Sequence, residues 1–422
     1  MSATLSRTFR ALRYRNFRLF FVGQGLSVMG TWLQQVAMSW LTYRLSGSVW
    51  LLGVVAFCGS AGILLFGTFA GVVADHVHRR RALRITQSLA LLQALALAGL
   101  TWSGLIAVWH LIVLALWLGL VSAFDVPLRQ ALWVHLVDDR ADLPNAIALN
   151  SFLVNSARVI GPAIAGLLLA VTGETVCFAL NALSFVAVIV AIGRMRWAQE
   201  PEPVPWRGGF WSKWVEGYRF VSGFAPARAL LALVAVLSWT INPYASLMPV
   251  YAKNIYGGGP QTLGFLLAAA GVGALASTLY LAGRATVRGL GRVIAGAATT
   301  CGLALAAFAY LSFYPLALLL MVVVGGGVIL AAASVNTILQ TIVPDALRGR
   351  VAGFFTLAFL GMAPLGNLAA GALANAIGVQ ATYLVNGLAA TAAGLLLWRA
   401  LPALRELMRP TYVRLGIIAG DS

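Results

Sequence analysis

The chain has 422 residues, of which 60% are hydrophobic and only 10% charged, with a formal net charge of +17. A soluble protein of this length cannot cover its surface with so few charges, which excludes the water-soluble classes. The positive balance does not point to nucleic acid either: Lys and Arg sit in short clusters between apolar runs rather than along one basic face, which is the inside-positive bias of a membrane protein.

A helix needs about 20 apolar residues to cross a bilayer. The basic segment Arg7 to Arg18 precedes an apolar run that is too long for a signal peptide and has no small-residue cleavage site, so Leu19–Tyr43 is read as a first span that stays in the membrane. Leu45–Ala74 gives a second span, and residues 85–124 hold two, broken near Ser103-Gly104. Residues 144–172, interrupted by Arg158, give a fifth and Thr175–Gly193 a sixth. The pattern then changes over residues 194–226. Pro201, Pro203, Pro205, Gly208 and Gly209 mark a linker, and Phe210–Phe224 an amphipathic surface helix. Ala229–Ala252 is expected as an unbroken seventh span and residues 261–283 as the eighth. Residues 293–344 hold two more, broken at SFYP (312–315), and residues 351–398 hold two, broken near Gly378. The expected fold is an all-α membrane protein of 12 transmembrane helices in two six-helix bundles, residues 1–193 and 227–400, with a linker at 194–226 and a tail at 401–422.

Placing both termini in the cytoplasm leaves Arg44 and Lys253 as the Lys and Arg of the outside loops, and Arg129 and Arg158 within spans; all the others fall inside. The two halves also repeat at an offset of 205. Gly161, Gly166 and Gly173 pair with Gly366, Gly371 and Gly378, and Asn181 in FALNAL with Asn386 in YLVNGL. Duplicated bundles joined by a cytoplasmic linker are the layout of rocking secondary transporters.

The stretches RNFRLFFVGQ (15–24), GTWLQQVAMSWLTYRLSGS (30–48), AFDVPLRQAL (123–132), LPNAIALNS (143–151) and RVIGPAIAGLL (158–168) resemble the major facilitator superfamily. Within it they are similar to the exporter branch that contains the enterobactin exporter and drug:proton antiporters. The resemblance covers nearly the whole chain and does not choose a substrate. In that superfamily the loop after the second span carries Gly-xxx-Asp followed by basic residues. Gly71, Asp75, Arg79, Arg80 and Arg81 fit, while His76 and His78 stand where the pattern has Arg and Gly. The resemblance implies a cytoplasmic latch in which Asp75 meets the N-terminus of the helix beginning near Arg348–Val351, since exposed helix N–H groups attract a carboxylate. The alternative is a solvated loop acid. Gly161, Pro162 and Gly166 resemble the antiporter signature of the fifth span: the glycines let backbones approach and the proline permits a bend.

Ionisable groups within spans are costly and mark function by default. Asp125 and Arg129 lie four apart on one helical face, and Arg158 falls near mid-depth of the fifth span. Asp125 stands as a proton site with Arg129 or Arg158 as its modulating partner, or as a structural ion pair. The family's Arg in the outer half of the fourth span is absent, with Leu116 and Trp117 in that region.

Gln24, Thr31 and Gln35 on one face of the first span, with Asn155, Asn242 and Asn336, are candidates for a substrate cavity or for interhelical hydrogen bonds. Asn181 and Asn386 are read as structural. Cys58, Cys177 and Cys301 lie in separate apolar runs without metal-ligand spacing, and no nucleotide motif is present. The expectation is therefore a monomeric, cofactor-free transporter of the cytoplasmic membrane that exports a small amphiphilic molecule against a proton gradient. It would bind substrate and lipid but no nucleic acid. An importer or uniporter on the same fold is the alternative, and a polytopic enzyme is disfavoured because His76, His78, His110 and His135 form no cluster with acids.

Overall fold

The computed structural model describes residues 9–132, 136–195, 210–284 and 286–417. The side chain of Asp75, the linker residues Pro201, Pro203, Pro205, Gly208 and Gly209, and Arg7 and His135 lie outside the described residues. All regular structure among the described residues is helical. That is what a lipid solvent requires, since a helix satisfies its backbone groups within itself.

A 3-10 turn at Arg10–Arg13 leads into α1 (Arg15–Ser46), which ends at Gly47 in the left-handed region with φ 61°. The helices α2 (Val49–His76), α3 (Arg79–Trp102) and α4 (Val108–Leu132) follow. Ser48 caps α2 by accepting from the Leu51 N–H, and the break between α3 and α4 falls at Ser103-Gly104, with Gly104 at φ 71°. Next come α5 (Leu143–Thr172), with Pro144 in its first turn where the missing N–H costs nothing, and α6 (Glu174–Arg194). The surface helix α7 spans Phe210–Gly223, close to its expected bounds. Beyond it lie α8 (Ala225–Thr240), α9 (Tyr244–Val250), α10 (Pro260–Ala282), α11 (Leu290–Phe308), α12 (Tyr314–Ile342), α13 (Asp345–Thr356), α14 (Met362–Ile377) and α15 (Val379–Arg414).

Among the described residues, eleven stretches are long and apolar enough to cross a membrane. The remaining long helix is α1, of 32 residues, whose Arg15, Arg18, Gln24, Gln34, Gln35 and Arg44 dilute its apolar character.

Two expectations are corrected. The seventh span is not continuous: α8 stops at Thr240, and α9 starts only after Ile241–Pro243 and runs into a π turn at Tyr251–Ile255. Pro243 has no N–H to donate and disfavours the helical region at Asn242. The eleventh span begins at Asp345, directly after Pro344, and is interrupted by a π turn at Leu357–Gly361. That turn frees a carbonyl, and the Ser238 hydroxyl of α8 donates to it at Phe359.

The chain divides into two compact units, Met1–Trp206 with Pro249–Ala268, and Arg207–Met248 with Ala269–Ser422. In the first, α2 and α4 touch at Gly62 and Gly119: a Cβ on Gly119 would lie 2.6 Å from the Cys58 carbonyl oxygen. Phe17, Leu83, Leu128, Leu132, Leu136 and Ala146 form a buried cluster at the end of the unit where α1, α3, α4 and α5 meet. In the second unit α10 and α12 make the matching contact, with Gly273 against the Val322 carbonyl and Gly325 against Ala270. The internal repeat is visible in the backbone. Gly173 (φ 78°) and Gly378 (φ 86°) both form the corner before the next helix, a conformation that glycine adopts freely.

Candidate functional site

The fourth helix carries its acid where three helices converge. Asp125 is buried at 6% exposure. Its Oδ1 accepts from Thr86 Oγ1 and Gln87 Nε2 of α3, each at 2.7 Å, and its Oδ2 accepts from Arg129 Nε at 2.5 Å. Arg129 also donates through Nη1 to Gln24 Oε1 of α1. One carboxylate thus takes three donors, and one guanidinium spans α4 and α1. A carboxylate supplied with donors in this way tolerates burial, whereas removing one partner of such a pair costs about 3–5 kcal/mol. Gln87 Oε1 is left buried without a partner among the described residues. A cavity of about 10 Å³, with Gln24, Gln87, Arg129, Phe20 and Leu83 in its wall, adjoins this cluster; that is space for about one water.

Arg158 does not join Asp125. Counted from the α4–α5 turn, Asp125 is 7 residues back from Leu132 and Arg158 is 15 beyond Leu143. At 1.5 Å per residue the two depths differ by about 12 Å. Arg158 is half-buried, and among the described residues it makes no ion pair or hydrogen bond.

Farther along α1, amides form a second buried chain. Asn181 Nδ2 of α6 donates to Gln34 Oε1 at 2.8 Å, and Gln34 Nε2 donates to Gln93 Oε1 of α3 at 3.0 Å. Gln93 in turn donates to the Leu114 carbonyl of α4 at 3.1 Å. Gly30 makes room for this chain, since a Cβ there would sit 2.5 Å from both Asn181 Oδ1 and Ser184 Oγ. Asn181 is therefore bonded across helices, as a structural residue would be.

The other expected residues fall as follows. Gln24 belongs to the Asp125 cluster. Thr31 and Gln35 are exposed on α1, and Thr31 Oγ1 donates to the Ser27 carbonyl. Asn155 Nδ2 donates to the Ser151 carbonyl at 2.8 Å, and Asn242 Nδ2 to Ser238 Oγ at 3.0 Å. Asn336 is half-buried on α12. Gly161 lies against the Trp32 indole, where a Cβ would meet Cγ at 2.6 Å. Gly166 lies against Pro260 and Gly264 at the start of α10, with Pro162 alongside.

The basic block after α2 divides in two. Arg79 Nη1 donates to the Ala131 carbonyl at the end of α4, and Arg80 Nη2 to the Gly193 carbonyl at the end of α6. Both supply donors to carbonyls that a helix end leaves open. Arg81 and Arg84 stay exposed. Gly71 sits in α2 with open space around it.

Three further residues escape the sequence pattern. Asp142, almost fully buried at the start of α5, binds Arg10, Arg13 (2.8 Å) and the Tyr14 hydroxyl (2.8 Å). The Tyr14 contact, helped by Asp142, holds the Arg13 guanidinium above its ordinary pKa. Glu174, at the start of α6, pairs with Arg44 at 3.1 Å. Glu216 of α7 pairs with Arg350 of α13 at 2.5 Å, while Trp214 packs on Phe354 at 5.5 Å.

A buried, internally neutralised polar network inside a bundle of membrane-long helices marks a polytopic membrane protein. Comparison with known proteins makes it a transporter. A family profile described as transmembrane secretion effector matches residues 6–411. The multidrug efflux pump Tap of Mycolicibacterium fortuitum is 30% identical over 90% of this chain and 93% of its own length. The staphyloferrin A transporter of Staphylococcus aureus is 27% identical over 88% and 92%, and the enterobactin exporter EntS of Citrobacter koseri 25% over 94% of each. Among solved structures, a peptide transporter POT superposes with a TM-score of 0.75 at 15% identity, covering 93% of this chain and 95% of that one. A bacterial homologue of the lysosomal transporter Spinster superposes with a TM-score of 0.67 at 13% identity, covering 94% and 97%. The chain belongs to the transmembrane secretion effector family of the major facilitator superfamily.

Proposed function

We propose that this protein exports a small amphiphilic molecule across the cytoplasmic membrane by alternating access, driven by protons. The observation that carries the proposal is the buried Asp125 carboxylate, held by Arg129, Thr86 and Gln87 within a chain whose relatives include a multidrug efflux pump and a siderophore exporter. Asp125 is the proton site and Arg129 its modulating partner: protonation of the acid would release the guanidinium to Gln24 alone. The chain crosses the membrane 12 times, α1 included, as two six-span bundles (residues 1–193 and 227–400) joined by the 194–226 linker. Both termini and the 401–422 tail lie in the cytoplasm, and the protein acts as a monomer. The placement of Arg44 and Lys253 in the outside loops supports this topology. Gly71, Asp75, Arg79, Arg80 and Arg81 form the cytoplasmic gate, Gly161, Pro162 and Gly166 the flexible element of α5, and Thr31, Gln35, Asn155, Asn242 and Asn336 contact substrate.

The test is accumulation of a panel of amphiphilic dyes, antibiotics and siderophores in an efflux-deficient bacterium, with and without a protonophore, for the wild type and Asp125→Asn. Lower accumulation in the wild type, abolished by the protonophore and by the substitution, is expected. Equal export by Asp125→Asn at equal expression would place coupling elsewhere, and export indifferent to the protonophore would remove the proton.

A further inference from the structure

The acids on or at the start of α4, α5 and α6 already have their cations: Asp125 is held by Arg129, Asp142 by Arg10 and Arg13, and Glu174 by Arg44. Arg158 is the reverse case. It sits at the middle of the 30-residue helix α5, about 22 Å from Leu143 and about 21 Å from Thr172 at 1.5 Å per residue. That is too deep for a side chain to reach either membrane surface by snorkelling, which serves residues near helix ends. Arg158 is half-buried rather than sealed, and among the described residues its guanidinium has neither an acid nor a hydrogen-bond acceptor. A permanently charged, donor-only group at this depth is satisfied by an anion.

The neighbouring residues suit an apolar body behind that anion. One turn further along α5, Gly161 has no side chain, and the Trp32 indole lies directly over it. One turn back, Asn155 donates to the Ser151 carbonyl, so Ser151, Asn155 and Arg158 continue a polar strip at helical spacing. Conversely, a cationic substrate finds no described carboxylate to pair with in these spans. Asp125 is sealed by its three donors and the other two acids are spent on arginines.

We propose that Arg158 recognises the anionic group of the substrate, so that the transported molecule is an amphiphilic anion, a carboxylate or a group of like geometry on an aromatic or aliphatic body. This rests on the transporter reading above and narrows its substrate class from amphiphiles in general to anionic ones.

The test is equilibrium binding to the full-length chain in nanodiscs. The probes are two dansylated undecyl chains that differ in the head group, one ending in a carboxylate and the other in a trimethylammonium. The wild type is expected to bind the carboxylate probe more tightly. Arg158→Gln should weaken that binding at least roughly tenfold, as loss of a charge-assisted contact does, and leave the ammonium probe unchanged. Arg158→Lys, which keeps the charge but loses the planar fork, should fall between. Wild-type preference for the ammonium probe, or binding of neither, overturns the proposal. So does an Arg158→Gln variant that melts like the wild type and either binds the carboxylate probe undiminished or loses both probes equally. If Arg158→Gln does not fold, Arg158→Lys decides: carboxylate binding equal to wild type would exclude a role for the guanidinium. Binding is read without an energised membrane, so failure of proton-driven export in the accumulation assay is a separate result.

Discussion

Gln87 donates to the Asp125 carboxylate at 2.7 Å, and that single bond orients the whole amide, turning Oε1 away into buried space where no described group meets it. Replacing the amide by an acid reverses the interaction. In Gln87→Glu two carboxylates face each other across a buried contact, and the expected loss is about 1–3 kcal/mol, read as a lowered melting temperature in detergent. Adding Asp125→Asn to the same chain should recover part of it. No recovery would mean that position 87 does not face Asp125.

Arg129 is the second lever on the same acid. Arg129→Gln leaves Asp125 buried without its cation, and the expected loss is about 3–5 kcal/mol, measurable as a lowered melting temperature in detergent. The double variant Asp125→Asn with Arg129→Gln should recover part of that loss, because an amide pair buries no net charge. No recovery would mean that the two side chains do not form a unit.

At the start of α5, Asp142 gathers Arg10, Arg13 and Tyr14. Asp142→Asn should loosen the 3-10 turn while leaving the spans in place. Trypsin should then cut after Arg10 and Arg13 severalfold faster than in the wild type, with stability changing by only about 1–3 kcal/mol. Unchanged cleavage would show that the turn is held by other contacts, such as the hydrogen bond from the Ala11 N–H to Asn145.

Gly71 and Gly119 separate gating from packing. A Cβ at Gly71 meets no described atom within 4 Å, whereas one at Gly119 collides with the Cys58 and Gly59 carbonyls. Gly119→Ala should therefore reduce the amount of folded protein, while Gly71→Ala should fold normally. Loss of export in folded Gly71→Ala would then reflect the gate itself. Full export would remove Gly71 from it.

The spans and most of their breaks were legible because punctuation lies in the residues themselves: Ser103-Gly104, SFYP and Gly378 each interrupt an apolar run. The break at Asn242-Pro243 was hidden because apolar residues flank it on both sides, so hydropathy shows one run while Pro243 disrupts the backbone locally. The acid and its helical neighbour Arg129 could be read from a four-residue spacing. The other donors could not, because Thr86 and Gln87 come from α3, and spacing along one helix says nothing of what a neighbouring helix presents. A pairing of Arg158 with Asp125 looked open for the same reason: each is within a span, but their depths are set by where the α4–α5 turn begins and ends. Thr86, Gln87 and Gln93 within the mostly apolar run RITQSLALLQALALAGL were the available hint of the polar network on α3.

The amide chain through Gln34 also dictates an order of assembly. Gln34 enters the membrane long before either of its partners exists: Gln93 is 59 residues later in the chain and Asn181 is 147. At about 5–20 residues per second of synthesis, the first helix waits roughly 7–30 s for α6 to complete its hydrogen bonds. During that interval α1 is a nascent segment with an unmet polar group, held in the bilayer by its remaining apolar residues and by the insertion machinery. The first unit therefore closes only when its last helix arrives, and a ribosome that stalls before Asn181 leaves behind a fragment that cannot settle.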